Sequence, residues 1–267
     1  MQIAISTVCL PELPWQRNFD EAAAGGFRFV ELLAIRGWVH VDPQKTRVDE
    51  VREGARRSGV EIIGLHAGGI DGSSDAALAS SVEYLKLVAE MAAGLNAGLL
   101  VFTGMKTPEG TNAAARPVIL KRIAKGLAEL EPVLARRRIR LGLENHYRCQ
   151  IETLEDYQAV FAEPVGKSPW LGATVDTGHF TSSQVDPAHV ARALGRRVYH
   201  VHVKDHIGTR SMGLGYGHTD NAAVVRALRE SGYAGFLSTE LEVEDRENAV
   251  RYVHEAKPYL EKLLAQR

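Results

Sequence analysis

The sequence predicts an α/β protein with a single (β/α)₈ barrel, in which residues 1–267 form one domain. Eight short apolar runs alternate with amphipathic stretches along the chain, as the strands and helices of such a barrel do. No linker rich in proline, glycine and serine divides the 267 residues. Four of the later runs each end in a side chain that binds metal ions. The competing architecture, a doubly wound open sheet, would have a glycine-rich phosphate turn after its first strand, and none is evident.

The strands are predicted in the order of the apolar runs. They are QIAIST, FRFVEL, EIIGLH, AGLLVF, IRLGLEN, LGATVD, VYHVHVKD and GFLSTE. Helical periodicity between the runs favours helices at Asp75–Ala93, Ala113–Arg137, Ala188–Leu194 and Asn221–Ser231. The last helix contains Pro258, which has no backbone N–H, and it is therefore expected to kink or split there.

The composition excludes some classes of partner. The chain is 45% hydrophobic and carries a formal net charge of −1, which gives no general attraction to nucleic acid or to an anionic membrane. No apolar stretch approaches the roughly 18 residues that cross a bilayer. The first residues, MQIAISTVCLPELPW, lack a basic leader and a cleavage site, and two cysteines make no disulfide framework. We therefore expect a cytoplasmic protein with reduced thiols.

Metal-binding side chains stand at the ends of four consecutive predicted strands. They are Glu144 in RLGLENH, Asp176 in GATVDTGH, His202 in YHVHVKD and Glu240 in GFLSTELE. Each interval between them is about the length of a strand–helix–strand step. Because parallel strands of one sheet carry their carboxyl ends at the same edge, these four side chains are predicted to form one cluster.

Strand alternation supports this cluster. Each of the four residues shares a strand face with a small or polar residue two positions earlier, as Glu144 does with Gly142. The opposite face carries apolar residues, which are Leu141, Leu143, Val175, Val201, Val203, Leu237 and Leu241. The four side chains would thus face the barrel interior, where charge is costly unless it is paired or coordinated. Oxygen and nitrogen ligands without a thiolate are typical of Mn²⁺, Mg²⁺, Co²⁺ or Zn²⁺. Taken singly, each residue is equally explained by a helix cap or a surface ion pair.

Three further residues are predicted to contact a substrate. His179 follows Asp176 by three residues and would donate a hydrogen bond beside the metal; a helix-capping histidine is the alternative. His66 ends EIIGLH and would face the substrate, unless it is a core histidine. Arg210 lies in a loop at the catalytic end, where it would bind a phosphate or a hydroxyl-rich molecule.

Several neighbouring residues have two interpretations each. Lys204 and Asp205 would orient His202 or pair with each other. Glu31 would support the metal ligands or lie at the surface, and His200 is predicted to be a hydrogen-bonded interior residue. The glycines of MGLGYGHTD would close the pocket rim or form a simple turn.

Together, LGLENH, TVDTGHF, HVHVKD, the GLGYG turn and STELE resemble the xylose-isomerase-like sugar isomerase/epimerase superfamily, over nearly the whole chain. The resemblance implies a TIM barrel that binds one divalent metal ion, commonly manganese, through Glu144, Asp176, His202 and Glu240. By the same resemblance to the ketose 3-epimerases of this group, Glu144 and Glu240 are also the acid/base groups, and His179 contacts the substrate.

The chain departs from those epimerases at two positions. Gln150 stands where they have a substrate-binding glutamate, and their substrate arginine would align near Gly208, close to Arg210 but out of register. Hydroxypyruvate isomerases, inosose dehydratases and inosose isomerases share the same motifs, so ketose specificity stays open.

The predicted function is a divalent-metal-dependent isomerase or epimerase of a sugar or sugar phosphate, which transfers a proton next to a carbonyl through a metal-stabilised enediolate. The alternative is a metal-dependent dehydratase of an inosose or keto-sugar. A third interpretation is an endonuclease IV-like DNA repair enzyme, but LLVFTG lacks the required histidine and the Asp-x-His motif is missing near Arg210. The expected partner is a small sugar or keto-sugar, and homo-oligomerisation is left open.

Overall fold

A computed structural model describes residues 1–38, 40–112 and 114–266. Its strands are β1 (Gln2–Ser6), β2 (Phe29–Leu33), β3 (Glu61–Ile70), β4 (Leu99–Gly104), β5 (Arg140–Glu144), β6 (Leu171–Asp176), β7 (Val198–Val203), β8 (Asp205–Ile207), β9 (Arg210–Met212) and β10 (Phe236–Thr239). Eight of them form a closed parallel barrel in the order β1, β10, β7, β6, β5, β4, β3, β2. The predicted fold class is therefore confirmed.

Helices connect successive strands on the outside of the barrel. In the described residues they are α1 (Trp15–Ala24), α2 (Val48–Ser58), α3 (Asp75–Gly94), α4 (Ala115–Arg137), α5 (Leu154–Ala162), α6 (Thr177–Ser182), α7 (Pro187–Leu194), α8 (Asn221–Glu230) and α9 (Ala249–Ala265). None of these helices has the length and apolarity needed to cross a membrane.

The hydrophobic core lies mainly between the strands and the helices. Alternate strand residues such as Leu141, Val175 and Val201 are completely buried there. Full burial of each such side chain contributes roughly 1.5–3 kcal/mol. Because side chains alternate across a strand, the residues between them point into the barrel, and this places the polar side chains inside.

The strand register brings the predicted metal ligands to one level. Asp176 of β6 pairs with His202 of β7, after a register shift between Ala173 and Thr174. Glu144 ends β5 opposite Thr174. Glu240 follows directly after β10, whose Ser238 pairs with His202.

Three local expectations need correction. The run VYHVHVKD is not one strand, because β7 ends at Val203 and Asp205 begins β8, which pairs antiparallel with β9. Pro258 does not split the last helix, since α9 continues through it. The helix predicted from Ala113 begins at Ala115, and Ala113 itself lies outside the described residues.

Candidate metal centre and substrate cavity

Four side chains meet at the carboxyl-terminal end of the barrel, and we call them the ligand cluster. They are Glu144, Asp176, His202 and Glu240, all buried, and one ligand atom from each lies within 4.8 Å of the others. Nδ1 of His202 lies 2.5 Å from Oε1 of Glu144 and 3.1 Å from Oε2 of Glu240. The structure therefore brings together the residues that were predicted to bind the metal.

The electrostatics of the ligand cluster fit a cation. Burial raises the pKa of Asp176, and the nearby carboxylates of Glu144 and Glu240 raise it further. Oδ2 of Asp176 is buried and accepts no hydrogen bond; Nζ of Lys204 lies 3.2 Å away, but without hydrogen-bond geometry. A buried carboxylate oxygen without such a bond is costly, and a divalent ion with oxygen and nitrogen ligands would satisfy it.

A second buried group lies on the other side of His202. Glu31, in the middle of β2, is fully buried. Nε2 of His202 donates to its Oε2 over 3.0 Å. Nε2 of His200 lies 2.8 Å from the same oxygen. Burial alone would raise the pKa of Glu31, but the charges of the two histidines hold it far below its usual value. Glu31 is thus buried beside the predicted ligand His202 and does not lie at the surface, and His200 is an interior residue as predicted.

Above the ligand cluster lies a second set of side chains, which we call the upper layer. It consists of His146, His179, Lys204 and Glu242. Nζ of Lys204 lies 3.0 Å from Oε2 of Glu240, 2.6 Å from Oε2 of Glu242 and 3.0 Å from Nε2 of His179. Burial would lower the pKa of Lys204, but the surrounding carboxylates hold it well above its usual value. The upper layer therefore presents a buried ammonium group to the cavity.

His179 is the third residue of α6, and it does not cap that helix. The cap is Asp176, whose Oδ1 accepts from the backbone N–H of His179 over 2.7 Å. Burial, with Lys204 nearby, holds the pKa of His179 well below its usual value, so its ring is neutral. Gly178 is required by close approach, because a Cβ there would lie 2.5 Å from Cβ of Lys204. The ring of His179 stacks on His146 with centroids 3.6 Å apart.

His66, on β3, contacts the ligand cluster directly. Its Nε2 lies 3.0 Å from Oε2 of Glu144. Burial would lower the pKa of His66, but the hydrogen bond and charge of Glu144 raise it overall. His66 also lines the cavity, so the structure places it both beside the ligands and within reach of a bound molecule.

Asp205 does not pair with Lys204. Its carboxylate accepts backbone N–H groups of Gly215, Gly217 and Thr219 over 2.9, 3.0 and 3.0 Å. Charge-assisted bonds of this kind are the stronger hydrogen bonds in proteins. They hold the glycine turn against the end of β7, and Asp220 then caps α8.

The ligand cluster opens into a cavity of about 530 Å³. His66 and the upper layer line its deep end, and Arg36, Trp38, Asp71 and Met105 line the part nearer to solvent. Arg210 is not in this cavity. The β8–β9 hairpin, which the sequence did not predict, carries Arg210 to the surface, where its side chain lines another cavity with Asp245.

The sequence analysis did not predict three of the residues that face the cavity. His146, Lys204 and Glu242 each follow a cluster residue by two positions. The alternation that predicted the ligand cluster continues one step beyond it, and this signal would have found all three.

The comparisons with known proteins agree with the barrel fold. The family model described as xylose isomerase-like TIM barrel matches residues 19–263. An inosose dehydratase of Clostridium tetani is 26% identical over 165 residues, which are 54% of this chain and 55% of that protein. The match thus spans about half the length of that curated relative.

Two crystal structures show the same fold over nearly their whole length. A D-tagatose 3-epimerase-like protein superposes with a TM-score of 0.80 and 24% identity, covering 99% of this chain and 98% of the other. The IOLI protein with a bound zinc atom superposes with a TM-score of 0.83 and 17% identity, with the same coverage. At these identities the likeness establishes the architecture.

Proposed function

Because this chain belongs to the xylose isomerase-like TIM barrel family, we propose that it is a divalent-metal-dependent isomerase or epimerase of a sugar. The observation that carries the proposal is the ligand cluster, which faces a cavity of about 530 Å³ with carboxylates on two sides. A pocket of this size with a few convergent polar groups is typical of small-molecule sites.

The residues that would hold the metal are the four of the ligand cluster. When bound, a divalent cation would polarise a carbonyl oxygen and stabilise negative charge that develops beside it. Mn²⁺ is the ion we would test first; Mg²⁺, Co²⁺ and Zn²⁺ suit the same oxygen and nitrogen donors. A structural neighbour that binds a zinc atom supports the choice of a divalent ion.

Glu240 and Glu144 are the proposed acid/base groups. Burial would raise the pKa of Glu240, but the charges of His202 and Lys204 hold it well below its usual value, so it is ionised. The contacts of Glu240 with His202 and Lys204 are both made by Oε2, so Oε1 is the oxygen that would remove a proton from carbon. Glu144 comes from β5 and would return a proton from another side, as an epimerisation requires.

The upper layer and His66 would bind the substrate oxygens. Lys204 donates hydrogen bonds, and the neutral ring of His179 has a buried Nδ1 without a partner. Donors placed around a developing oxyanion usually supply the largest catalytic contribution. These residues would hold hydroxyl groups while the carbon-bound proton moves.

A dehydratase of an inosose or keto-sugar is the second candidate, because the curated relative is an inosose dehydratase and Lys204 offers a proton donor. In that reaction Glu240 would remove the proton next to the carbonyl. The carbon–oxygen bond at the β carbon would then break, and Lys204 would protonate the departing hydroxyl to give water. The first proton transfer is common to both candidates.

The test is incubation of the manganese-loaded protein with ketoses, inososes and keto-acids in deuterium oxide. We expect deuterium at a carbon next to the carbonyl, with no uptake after the metal is removed by a chelator. A product lighter by one water would identify the dehydratase. Absence of deuterium uptake and of dehydration across the panel would contradict the proposed function.

A further inference from the structure

We propose that the outer part of the cavity is a second carbohydrate subsite, and that the substrate is a keto-sugar linked to another sugar ring. This inference rests on the proposed function and specifies its substrate class. We call the outer part, formed by Trp38, Asp71 and Met105, the outer subsite.

The cavity extends beyond the ligand cluster along β3. This strand lines it from His66, beside the ligand cluster, to Gly69, and Asp71 lines it two residues later. β3 bends on the way, because its register with β4 shifts between His66 and Gly69 and Gly68 has a φ of +81°. A six-carbon chain has five bonds of about 1.5 Å, so it spans less than about 8 Å. In a cavity of about 530 Å³, a single sugar held at the ligand cluster therefore leaves the outer subsite open.

The floor between the two ends is kept free of side chains. Ala67, Gly68 and Gly69 are the β3 residues that line it. A Cβ at Gly69 would lie 2.7 Å from Sδ of Met105 and 3.1 Å from the carbonyl oxygen of Thr103. Glycine at this position thus lets Met105 lie close over the strand while the cavity continues past it.

The outer subsite contains a carboxylate that neighbouring groups hold in place. Oδ1 of Asp71 accepts from Nε2 of Gln150 over 2.9 Å and from the backbone N–H of Ser73 over 2.8 Å. Gln150 is 1% exposed, and its Oε1 accepts from the N–H of Gly72 over 2.8 Å. Both ends of the Gln150 amide are therefore used inside the protein, and Gln150 positions Asp71 instead of contacting a ligand.

Asp71 is suited to accept hydrogen bonds from sugar hydroxyls. Partial burial would raise its pKa, but the hydrogen bonds of Gln150 and Ser73 lower it overall, so the group is ionised. The hydrogen bonds from the Gln150 amide and the Ser73 backbone both go to Oδ1, so Oδ2 is the oxygen that would accept from a ligand. A carboxylate accepts the hydrogen bonds that sugar hydroxyls donate. Because Arg36 and Lys106 also line the cavity, a phosphorylated sugar is included in the experiment as a competitor.

Two large apolar side chains at the mouth complete the outer subsite. Trp38 is 52% exposed and Met105 is 44% exposed, although both line the cavity. Exposed apolar surface rimmed by polar groups marks ligand-binding grooves, and an aromatic ring offers a flat face to the C–H groups of a sugar. Arg36, Ser80 and Tyr84 line the neighbouring wall of the cavity. The Arg36 guanidinium donates to Oγ of Ser80 and stacks over the ring of Tyr84.

The experiment compares free sugars with their glucosides in the same deuterium-uptake assay. D-Fructose is tested against its 4-O- and 6-O-glucosides, and 3-keto-D-glucose against its glucosyl glycoside, with the 6-phosphate of each free sugar as a third member. We expect kcat/KM for deuterium uptake to be at least tenfold higher for a glucoside than for the matching free sugar. Equal values, or a preference for the phosphate, would overturn the inference.

Variants of the outer subsite test whether its residues cause the preference for glucosides. Trp38→Ala and Asp71→Asn should each lower the ratio of the two kcat/KM values by about tenfold, whereas Asp75→Asn, at the exposed start of α3, should leave it unchanged. An unaltered ratio in both subsite variants would assign the preference to another surface and sink the proposal. No uptake from any compound would count against the proposed function itself, which separates the two failures.

Discussion

Glu31 and His202 are 171 positions apart in the chain, and a buried hydrogen bond of 3.0 Å joins them inside the barrel. The bond fixes Nε2 of His202 as the donor and directs Nδ1 toward the three carboxylates of the ligand cluster. Metal-binding histidines generally donate their second nitrogen in this way, which sets the ring orientation and raises the basicity of the ligand. The relationship makes Glu31 the natural first target for mutation.

Glu31→Gln should weaken Mn²⁺ binding by roughly 10–100-fold, the usual cost of losing such a supporting carboxylate. The amide keeps the size of the side chain but loses the negative charge that stabilises the two histidines. Isothermal titration with Mn²⁺ measures the affinity, and Glu61→Gln, at the exposed start of β3, is the control. Wild-type affinity in the Glu31 variant would show that the hydrogen bond does not support the metal.

Glu240→Gln should lower deuterium uptake by roughly 10²–10⁴-fold, which is the range for removal of a general acid/base group. The glutamine preserves the shape but cannot take a proton from carbon. Because Glu240 is also a proposed ligand, uptake is measured at saturating Mn²⁺ and the metal content is determined. The control is Glu244→Gln at an exposed position, and near-normal uptake by the Glu240 variant would remove Glu240 from the mechanism.

Lys204→Met should destabilise the metal-free protein by about 3 kcal/mol, since breaking a buried ion pair leaves uncompensated charge. The same variant should bind Mn²⁺ more tightly, because a positive charge next to the ligand cluster has been removed. Urea unfolding with and without Mn²⁺ gives both quantities, and Lys262→Met on the exposed side of α9 is the comparison. Weaker Mn²⁺ binding would mean that Lys204 mainly positions the ligands.

The stability of the protein should fall as pH decreases from 6.5 to about 4, partly because of His40. Burial lowers the pKa of His40 to about 4, whereas the unfolded chain has the ordinary value of 6.5. Between these values the unfolded state binds more protons, so the contribution is complete above pH 6.5 and is lost as pH falls. For this partly exposed group we expect about 1–2 kcal/mol.

His40→Gln isolates that contribution. Nδ1 of His40 lies 2.9 Å from Oγ1 of Thr7, and Nε2 lies 3.2 Å from Nδ2 of Asn18, so a glutamine amide can replace both contacts. The variant should have a flatter dependence of unfolding free energy on pH, measured by urea titration. His189→Gln, at an exposed position, is the control, and identical slopes in all three proteins would refute the assignment.

Arg210→Ala should change kcat/KM for deuterium uptake by less than about twofold, the small effect usual for an exposed side chain away from the site. Arg210 contacts Sδ of Met212 over 3.4 Å on the hairpin, and it lines a cavity separate from the ligand cluster. A tenfold loss would indicate that the β8–β9 hairpin moves over the substrate when it binds.

Regular alternation explains why the fold and the ligand cluster were predictable. The apolar residues around Glu144, Asp176, His202 and Glu240 follow strand parity, and the connections have the length of a barrel unit. Parallel strands leave little choice about where their last residues lie. The eight strands and the cluster geometry follow from this local pattern.

Contacts that depend on tertiary packing were harder to predict. Nothing in VYHVHVKD shows that the backbone leaves the barrel after Val203 and turns into a hairpin, and this turn decides where Arg210 lies. The role of Gln150 depends on the loop after β3, which is distant in sequence. Glu31 had two interpretations because its partners are on β7, across the barrel.

The pairing of β1 with β10 has a consequence for biosynthesis. Gln2 at the amino terminus pairs with Phe236, so the barrel closes only when the last strand has been made. Glu240 follows that strand directly. A nascent chain that stops earlier has neither a closed sheet nor the last carboxylate of the ligand cluster. Capture of the ion would therefore be a late event that distinguishes finished molecules from incomplete ones, and the metal would stabilise only the former.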